Sequence, residues 1–280
     1  MNFIGVLLAL LILGIIIRLL ANLYKKKGGK KQELLDVKHS VVTETLSDVF
    51  AKCIYDPKGS ISRDTIKNAD LIDDWKESLN SERVDYTGNE YFSGKYKGVG
   101  VECCDVEVIR YWTETETDSD GRQTESEHSE TCFRGIWMIC ELDKPIPAVV
   151  RIREKKDMPQ LLKFARKRVH SKSDIETENL AFNEQFQILT NDAHSAFLIL
   201  TPHYMEQILL AESKAHGRML LRFAGNRVHI AIHNGRKSFE VKRISELNDI
   251  EALKRRIQGE VRYLTEILDE LFKSTSLFGE

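Results

Sequence analysis

The chain has 280 residues, 42% of them hydrophobic, with 41 basic and 43 acidic side chains and a formal net charge of -2. Arg18 and five lysines before Gln32 hold six of the basic residues, so residues 32–280 carry 35 basic against 43 acidic, a net of -8. The length suits one large domain or two ordinary ones, and an acidic body removes any general electrostatic case for a nucleic-acid partner.

The chain opens MNFIGVLLALLILGIIIRLLANLYKKKGG, with no charge between Phe3 and Ile17. A helix over residues 3–24 spans roughly 30 Å at 1.5 Å per residue, the hydrocarbon thickness of a bilayer. Arg18 lies close enough to Tyr24 for its stem to follow the helix while the guanidinium reaches the interface. A secretory leader has basic residues before its apolar run and a small-residue cleavage site after it. Here only Met1 and Asn2 precede the run and LLANLYKKK follows it, so the stretch reads as a retained single-pass anchor contacting the lipid bilayer. Lys25, Lys26, Lys27, Lys30 and Lys31 come next, with no acidic residue before Glu33. The positive-inside tendency then expects the N-terminus outside and the body in the cytoplasm, at the inner (cytoplasmic) membrane. The same lysines can meet anionic lipid headgroups, at about 1 kcal/mol each near the surface; a topology signal alone also accounts for them.

Residues 32–52 place Leu34, Leu35, Val37, Val41, Val42, Leu46, Val49 and Phe50 on one stripe, the pattern of an amphipathic helix. DPKG at residues 56–59 is a turn, and residues 60–80 read as one or two short helices carrying Ile61, Ile66, Leu71, Ile72, Trp75 and Leu79. Strands follow in SGKYKGVGVECCDVEVIRYWTETET, separated by a bulge or bend. TETETDSDGRQTESEHSET is almost free of apolar residues and reads as an exposed hairpin with Asp120 and Gly121 at its tip. CFRGIWMICEL is a strongly apolar strand, and KPIPAVVRIREKK adds another after a proline-controlled bend.

The basic segment MPQLLKFARKRVHSKS precedes a strand at Phe186, Ile188 and Leu189 and a turn at Asn191 and Asp192. Residues 195–200 are read as a helical or extended link. Thr201 is the N-cap and Pro202 the first residue of a helix that turns Met205, Ile208, Leu209 and Leu210 inward. GRMLLRFAGNRVHIAIHNG holds two strands joined at Gly225 and Asn226, and FEVKR offers one more. A final amphipathic helix over residues 245–272 carries Leu247, Ile250, Leu253, Ile257, Val261, Leu264, Ile267, Leu268 and Leu271. The expected organisation is residues 1–31 as anchor and basic flank, 32–80 as a helical region, 81–156 as an antiparallel β-rich region, and 157–280 as an α+β region. The fold class is α+β, with a long C-terminal helix behind an N-terminal transmembrane helix.

FSGKYKGV at residues 92–99, FRGIWMI at 133–139, KPIP at 144–147, FNEQFQILTNDAHSAFLILTP at 182–202 and GNRVHIAI at 225–232 occur in that order. In order and spacing they resemble the landmarks of an uncharacterised bacterial family, domain of unknown function 3137 (DUF3137), over residues 35–271. The resemblance implies one or more hydrophobic segments near the N-terminus and a cytoplasm-facing α+β body. It carries over no catalytic, cofactor-binding or metal-ligating residues.

The residues themselves offer little chemistry. No G-x-x-x-x-G-K-[ST] phosphate loop, G-x-G-x-x-G fingerprint, H-E-x-x-H helix or G-x-S-x-G elbow occurs. Asp118, Asp120 and Glu125 lack the glycine position and flanking helices of a calcium loop. His229 and His233 would share a strand face about 13 Å apart, too far for one metal. The five cysteines, Cys53, Cys103, Cys104, Cys132 and Cys140, form no C-x-x-C pair and read as free, packed thiols of a reducing compartment. Trp75, Trp112 and Trp137 are assigned to packing. Arg166, Lys167, Arg168, His170 and Lys172 read as a solvated helix end, or as a contact for phosphate. No site residue, metal or cofactor is expected. The reading is a membrane-anchored interaction or scaffold protein with an unidentified protein partner and no nucleic acid. Its alternative is a membrane-associated enzyme with a site assembled from distant positions such as His194, His203 or His229.

Overall fold

Val41, Val42 and Leu46 follow helical spacing, and the helix they predict, α1, occupies residues 35–47 with all three buried; Phe50, expected within it, is buried in the bend beyond its end. The computed structural model describes residues 32–33, 35–72, 83–117, 123–155, 174–241 and 249–279. The expected anchor over residues 3–24, its lysines, Trp75, Asp118, Asp120, Gly121 and the basic segment 158–173 lie outside them. Among the described residues no helix is long and apolar enough to cross a membrane.

After α1 the chain enters strand β1 (Ala51–Asp56), helix α2 (Arg63–Asn68) and strand β2 (Arg83–Tyr96). Ser62 caps α2 by accepting the Thr65 N–H at 3.2 Å. β2 and β3 (Val99–Thr117) pair antiparallel, with Tyr96 opposite Val99. Lys97 and Gly98 between them both have positive φ, 49° and 85°, which makes a two-residue hairpin turn of the kind whose twist matches its strands; the bulge or bend expected between Cys103 and Val106 is absent, since β3 runs unbroken through them. β3 continues against β4 (Gln123–Glu154) until Thr117 lies opposite Gln123, which makes the polar ribbon a paired hairpin arm almost to its tip.

β4 and β7 (Arg218–His233) are each extended throughout, yet both reverse direction. Gly217 and His233 stand at opposite ends of β7 along the chain, but a Cβ on Gly217 would stand 2.7 Å from the His233 carbonyl oxygen. The reversal falls at Gly225, with φ 57°, where a two-residue hairpin favours glycine; the two strands expected either side of Gly225 and Asn226 are therefore present. β4 wraps around this hairpin. Its residues from Gly135 to Glu141 pair with the second arm of β7, from His233 to Arg227, and Val150 to Arg153 pair with the first arm, from Phe223 to Leu220. The shift in register falls between Glu141 and Val150, where Pro145 and Pro147 have no N–H to give a ladder. The end of β4 then pairs with β6 (Phe186–Thr190), which pairs with the two-residue β5 (Asp174–Ile175). One antiparallel sheet thus runs through the whole described body.

Helices α3 (Leu180–Gln185), α4 (Ala193–Ile199), α5 (Pro202–Ala215) and α6 (Ile250–Leu271) complete the order, followed by a last turn of helix at Thr275–Phe278. Asp192 caps α4 through the His194 and Ser195 N–H groups, so residues expected as a helical or extended link are helical. Thr201 caps α5 and Pro202 opens it, as read from the sequence. Leu210, expected inside, is exposed, because Tyr204, Met205, Ile208 and Ala211 define the buried face and Leu210 falls some 200° from Ile208 around the helix. α6 begins at Ile250, capped by Asp249, and buries Leu253, Ile257, Val261, Leu264, Ile267, Leu268 and Leu271. Ile250, ahead of that stripe, is exposed. Phe239 and Val241, expected in a strand, belong to an irregular loop in which Phe239 has φ 51°.

The sheet has two covered faces. On the first, α1, α4, α5 and α6 pack over Phe92, Val101, Met138, Leu221, Phe223 and Ile230. On the second, Ile61, Ile66, Leu71 and Ile72 cover Val106, Val108, Phe133, Trp137 and Ala231 in a smaller core. Gly135 lies where β4 is held between β3 and β7. A Cβ there would collide with the Ile232 carbonyl oxygen, so Gly135→Ala is expected to lower stability by about 1–3 kcal/mol, read as an earlier urea midpoint with an unchanged slope.

Candidate functional site

Two polar clusters interrupt the apolar faces, one on each side of the sheet. On the first face Asp105 is 5% exposed beneath the loop joining β7 to α6. Its Oδ2 accepts the Ser238 N–H at 2.6 Å, while its buried Oδ1 has no partner. Burial pushes its carboxyl from 3.8 up to about 7, a rise that the Ser238 bonds reduce and that Glu90 and Glu260 add to. Glu260 accepts the Phe239 N–H, and burial raises its carboxyl as well. Glu90 takes the Lys38 ammonium at 2.6 Å and the Tyr55 hydroxyl. Phe239 fills the space beside the Tyr55 ring, edge-on at 6.3 Å. Three carboxylates therefore serve as acceptors for a loop and a helix that no strand ladder holds. A small cavity beside Asp105 is rimmed by Thr87, Glu107, Arg134 and Lys237, in which Glu107 pairs with both cations.

On the second face Trp137 Nε1 donates to His229 Nδ1 at 3.2 Å. Burial, then Arg222 and Arg227, push His229 down to about 4, so the ring is neutral at ordinary pH. With Nδ1 accepting, its proton sits on Nε2. Arg151 on β4 lies opposite Arg222 on β7, and burial lowers both guanidinium groups from their ordinary value. Asp70, itself in the left-handed region at φ 50°, pairs with Arg151 and lies 3.8 Å from Arg153.

The histidines considered from sequence are not brought together. His194 and His203 are exposed at the starts of α4 and α5, helices of the first face, while His229 packs on Trp137 on the second. His233 accepts the Arg134 N–H at 3.2 Å. Among the described residues no group of three or more His, Cys, Asp or Glu side chains could hold a metal. All five cysteines are free thiols, with Cys103, Cys104 and Cys140 buried; burial pushes Cys104 up to about 12 and Cys103 well up, which leaves them protonated packing groups. Sequence reasoning passed over Asp105, Lys38, Glu90, Arg151 and Arg222. The alternation along β3 offered one signal, since Asp105 follows Val101 and Cys103 on the inward face. No local pattern marks the Arg pair, which only the wrapping of β4 around β7 assembles.

Fold and clusters together define an α+β protein whose single antiparallel sheet is covered on one face by α1, α4, α5 and α6 and on the other by a smaller core that includes α2. The family described as protein of unknown function, DUF3137, matches residues 131–273, and the chain belongs to that family. No curated protein matches the chain. A solved structure, the mycobacterial trehalose monomycolate transport factor A, TtfA, is similar at 10% identity and a TM-score of 0.38, covering 82% of this chain and 95% of that one. A likeness of that size is too slight to show a shared fold.

Proposed function

We propose that this is a membrane-anchored interaction or scaffold protein, held by residues 3–24 in the cytoplasmic membrane and presenting its α+β body to a protein partner in the cytoplasm. The observation that carries the reading is the charge-free run from Phe3 to Ile17 followed by Lys25, Lys26, Lys27, Lys30 and Lys31, which the positive-inside tendency orients. The body supports it, because its buried carboxylates accept from loop backbone or from Lys38 and Tyr55, and its histidines lie on both sides of the sheet. No specific observation favours the enzyme reading.

The full chain should stay with membranes through alkaline extraction. Leu11→Arg, which puts a charge at the centre of the span at a cost of about 2.5–3.5 kcal/mol, should shift it towards the soluble fraction. An impermeant thiol reagent should label an Asn2→Cys variant in intact cells and reach the half-exposed Cys132 only after permeabilisation. Labelling of Cys132 in intact cells would reverse the topology. Proximity labelling from the full chain beside one lacking residues 3–24 separates contacts made by location from those made by the body.

A further inference from the structure

The loop that follows β7 is held by acids rather than by a strand ladder. Residues 234–241 are irregular, and Phe239 among them is buried at φ 51°. That left-handed conformation is unfavourable for a side chain and persists only where its surroundings hold it. Two carboxylates do so: Asp105 accepts the Ser238 N–H at 2.6 Å, and Glu260 accepts the Phe239 N–H. Asp105 Oδ1 is sealed from solvent and meets no donor. A neutral acid there leaves one hydroxyl unmet, whereas the anion leaves a charge with neither water nor partner, which is far costlier. The charged groups around the loop give no relief. Lys38 of α1 is taken by Glu90 of β2, and His39 lies on the Tyr55 ring. Arg256 of α6 lies 3.9 Å from Glu260. Arg134 of β4 and Lys237 of the loop both pair with Glu107 of β3, and Arg236 is exposed. His233, where the loop begins, accepts the Arg134 N–H, an acceptor it loses on protonation, so its influence on the loop has the opposite sign in pH. Among the described residues no ammonium or guanidinium pairs with Asp105, while Glu90 and Glu260 oppose its ionisation.

We propose that Asp105 is a proton-operated latch: residues 234–241 stay seated while its carboxyl is protonated and lift away when it ionises. The Oδ1–H proton passes to solvent water, and the carboxylate gains the hydration that the seated loop denies it. Lifting relaxes the backbone at Phe239 and exposes its ring together with the Tyr55 ring that it meets edge-on. The sheet can stay intact meanwhile, because residues 234–241 add no strand to it. The seated carboxyl is raised, so the seated form is fully favoured below the ordinary value and loses that advantage as pH rises through the raised one. Opening therefore increases from 3.8 to about 7 and levels off above. The latch lies wholly within the body and stands independently of the anchor.

The test is hydrogen–deuterium exchange of the full chain in phosphatidylcholine nanodiscs from pH 5 to pH 8, read by mass spectrometry and divided at each pH by the intrinsic exchange rate. Protection of residues 236–241 should fall by about fifty-fold from pH 5 to pH 7, and by no more than about two-fold from pH 7 to pH 8. It should stay below that of residues 228–232, in the second arm of β7, at every pH. Asp105→Asn, neutral throughout and still an acceptor for the Ser238 N–H, should lose most of the fall. Glu260→Gln, which keeps an acceptor for the Phe239 N–H, should retain it. Equal protection of the two segments would place the change in global unfolding and overturn the latch. A flat profile in the parent, an unchanged slope in Asp105→Asn, or loss of the slope in Glu260→Gln alone would overturn it as well.

Discussion

Replacing Lys38 with methionine is expected to lower stability by about 3–5 kcal/mol, the usual consequence of removing one partner from a buried ion pair. Lys38 on α1 and Glu90 on β2 meet at 2.6 Å with side chains only 11% and 12% exposed. Methionine keeps the unbranched stem that packs between helix and sheet, so the loss isolates the charge. Glu90 would remain buried with the Tyr55 hydroxyl as its donor, which is too little for a full carboxylate. The thermal midpoint should fall by about 10 °C, at the 2–4 °C per kcal/mol typical of a body this size. Adding Glu90→Gln, which keeps an acceptor for Tyr55, should recover a large part of the loss. A double-mutant cycle with no coupling would show the pair to be dispensable.

Asp105→Asn is expected to stabilise the protein, by an amount that grows as the pH rises from about 4 to about 7. A carboxyl whose folded value is raised binds its proton more tightly folded than unfolded. Its contribution is fully present below the unfolded value and is lost as pH rises through the folded one. For a rise from 3.8 to about 7 the loss amounts to at most about 4 kcal/mol. Asparagine is neutral throughout, can still accept the Ser238 N–H, and removes the repulsion from Glu90 and Glu260. Midpoints of parent and variant should therefore coincide near pH 4 and separate between pH 5 and pH 8, with the variant higher. Glu260, raised by burial, should leave a residual slope of the same sign in both proteins. A variant less stable than the parent at pH 8 would mean that ionised Asp105 is held by a donor within the fold.

Both predictions concern side chains that composition and spacing pass over. Lys38 looks like any charge on the polar side of an amphipathic helix, and Glu90 like a residue of an irregular strand. They meet because β2 carries an irregularity between Asn89 and Phe92, where Glu90 takes φ 55°. The apolar stripes were more legible. Seven residues of α6 expected inside are inside, because a helix long enough to repeat its face several times leaves little choice of orientation. Leu210 and Ile250 failed at the margins of such stripes, where one residue's rotation decides exposure.

Local chemistry determined the elements of this protein. Thr201 and Pro202 start α5, Gly225 reverses β7, Pro145 and Pro147 break the ladder of β4, and alternation lays out the strands. Each acts within a few residues, through capping, a permitted φ or a missing N–H, so each is visible in a short window of sequence. Tertiary structure alone decided that β4 divides to flank both arms of β7, and with it that Arg151 faces Arg222 and that Asp105 lies under Ser238. Those pairings join residues 71 and 133 positions apart. Nothing in either neighbourhood anticipates the other, because the energy of a cross-strand charge pair or a buried carboxylate exists only once the sheet has closed around it.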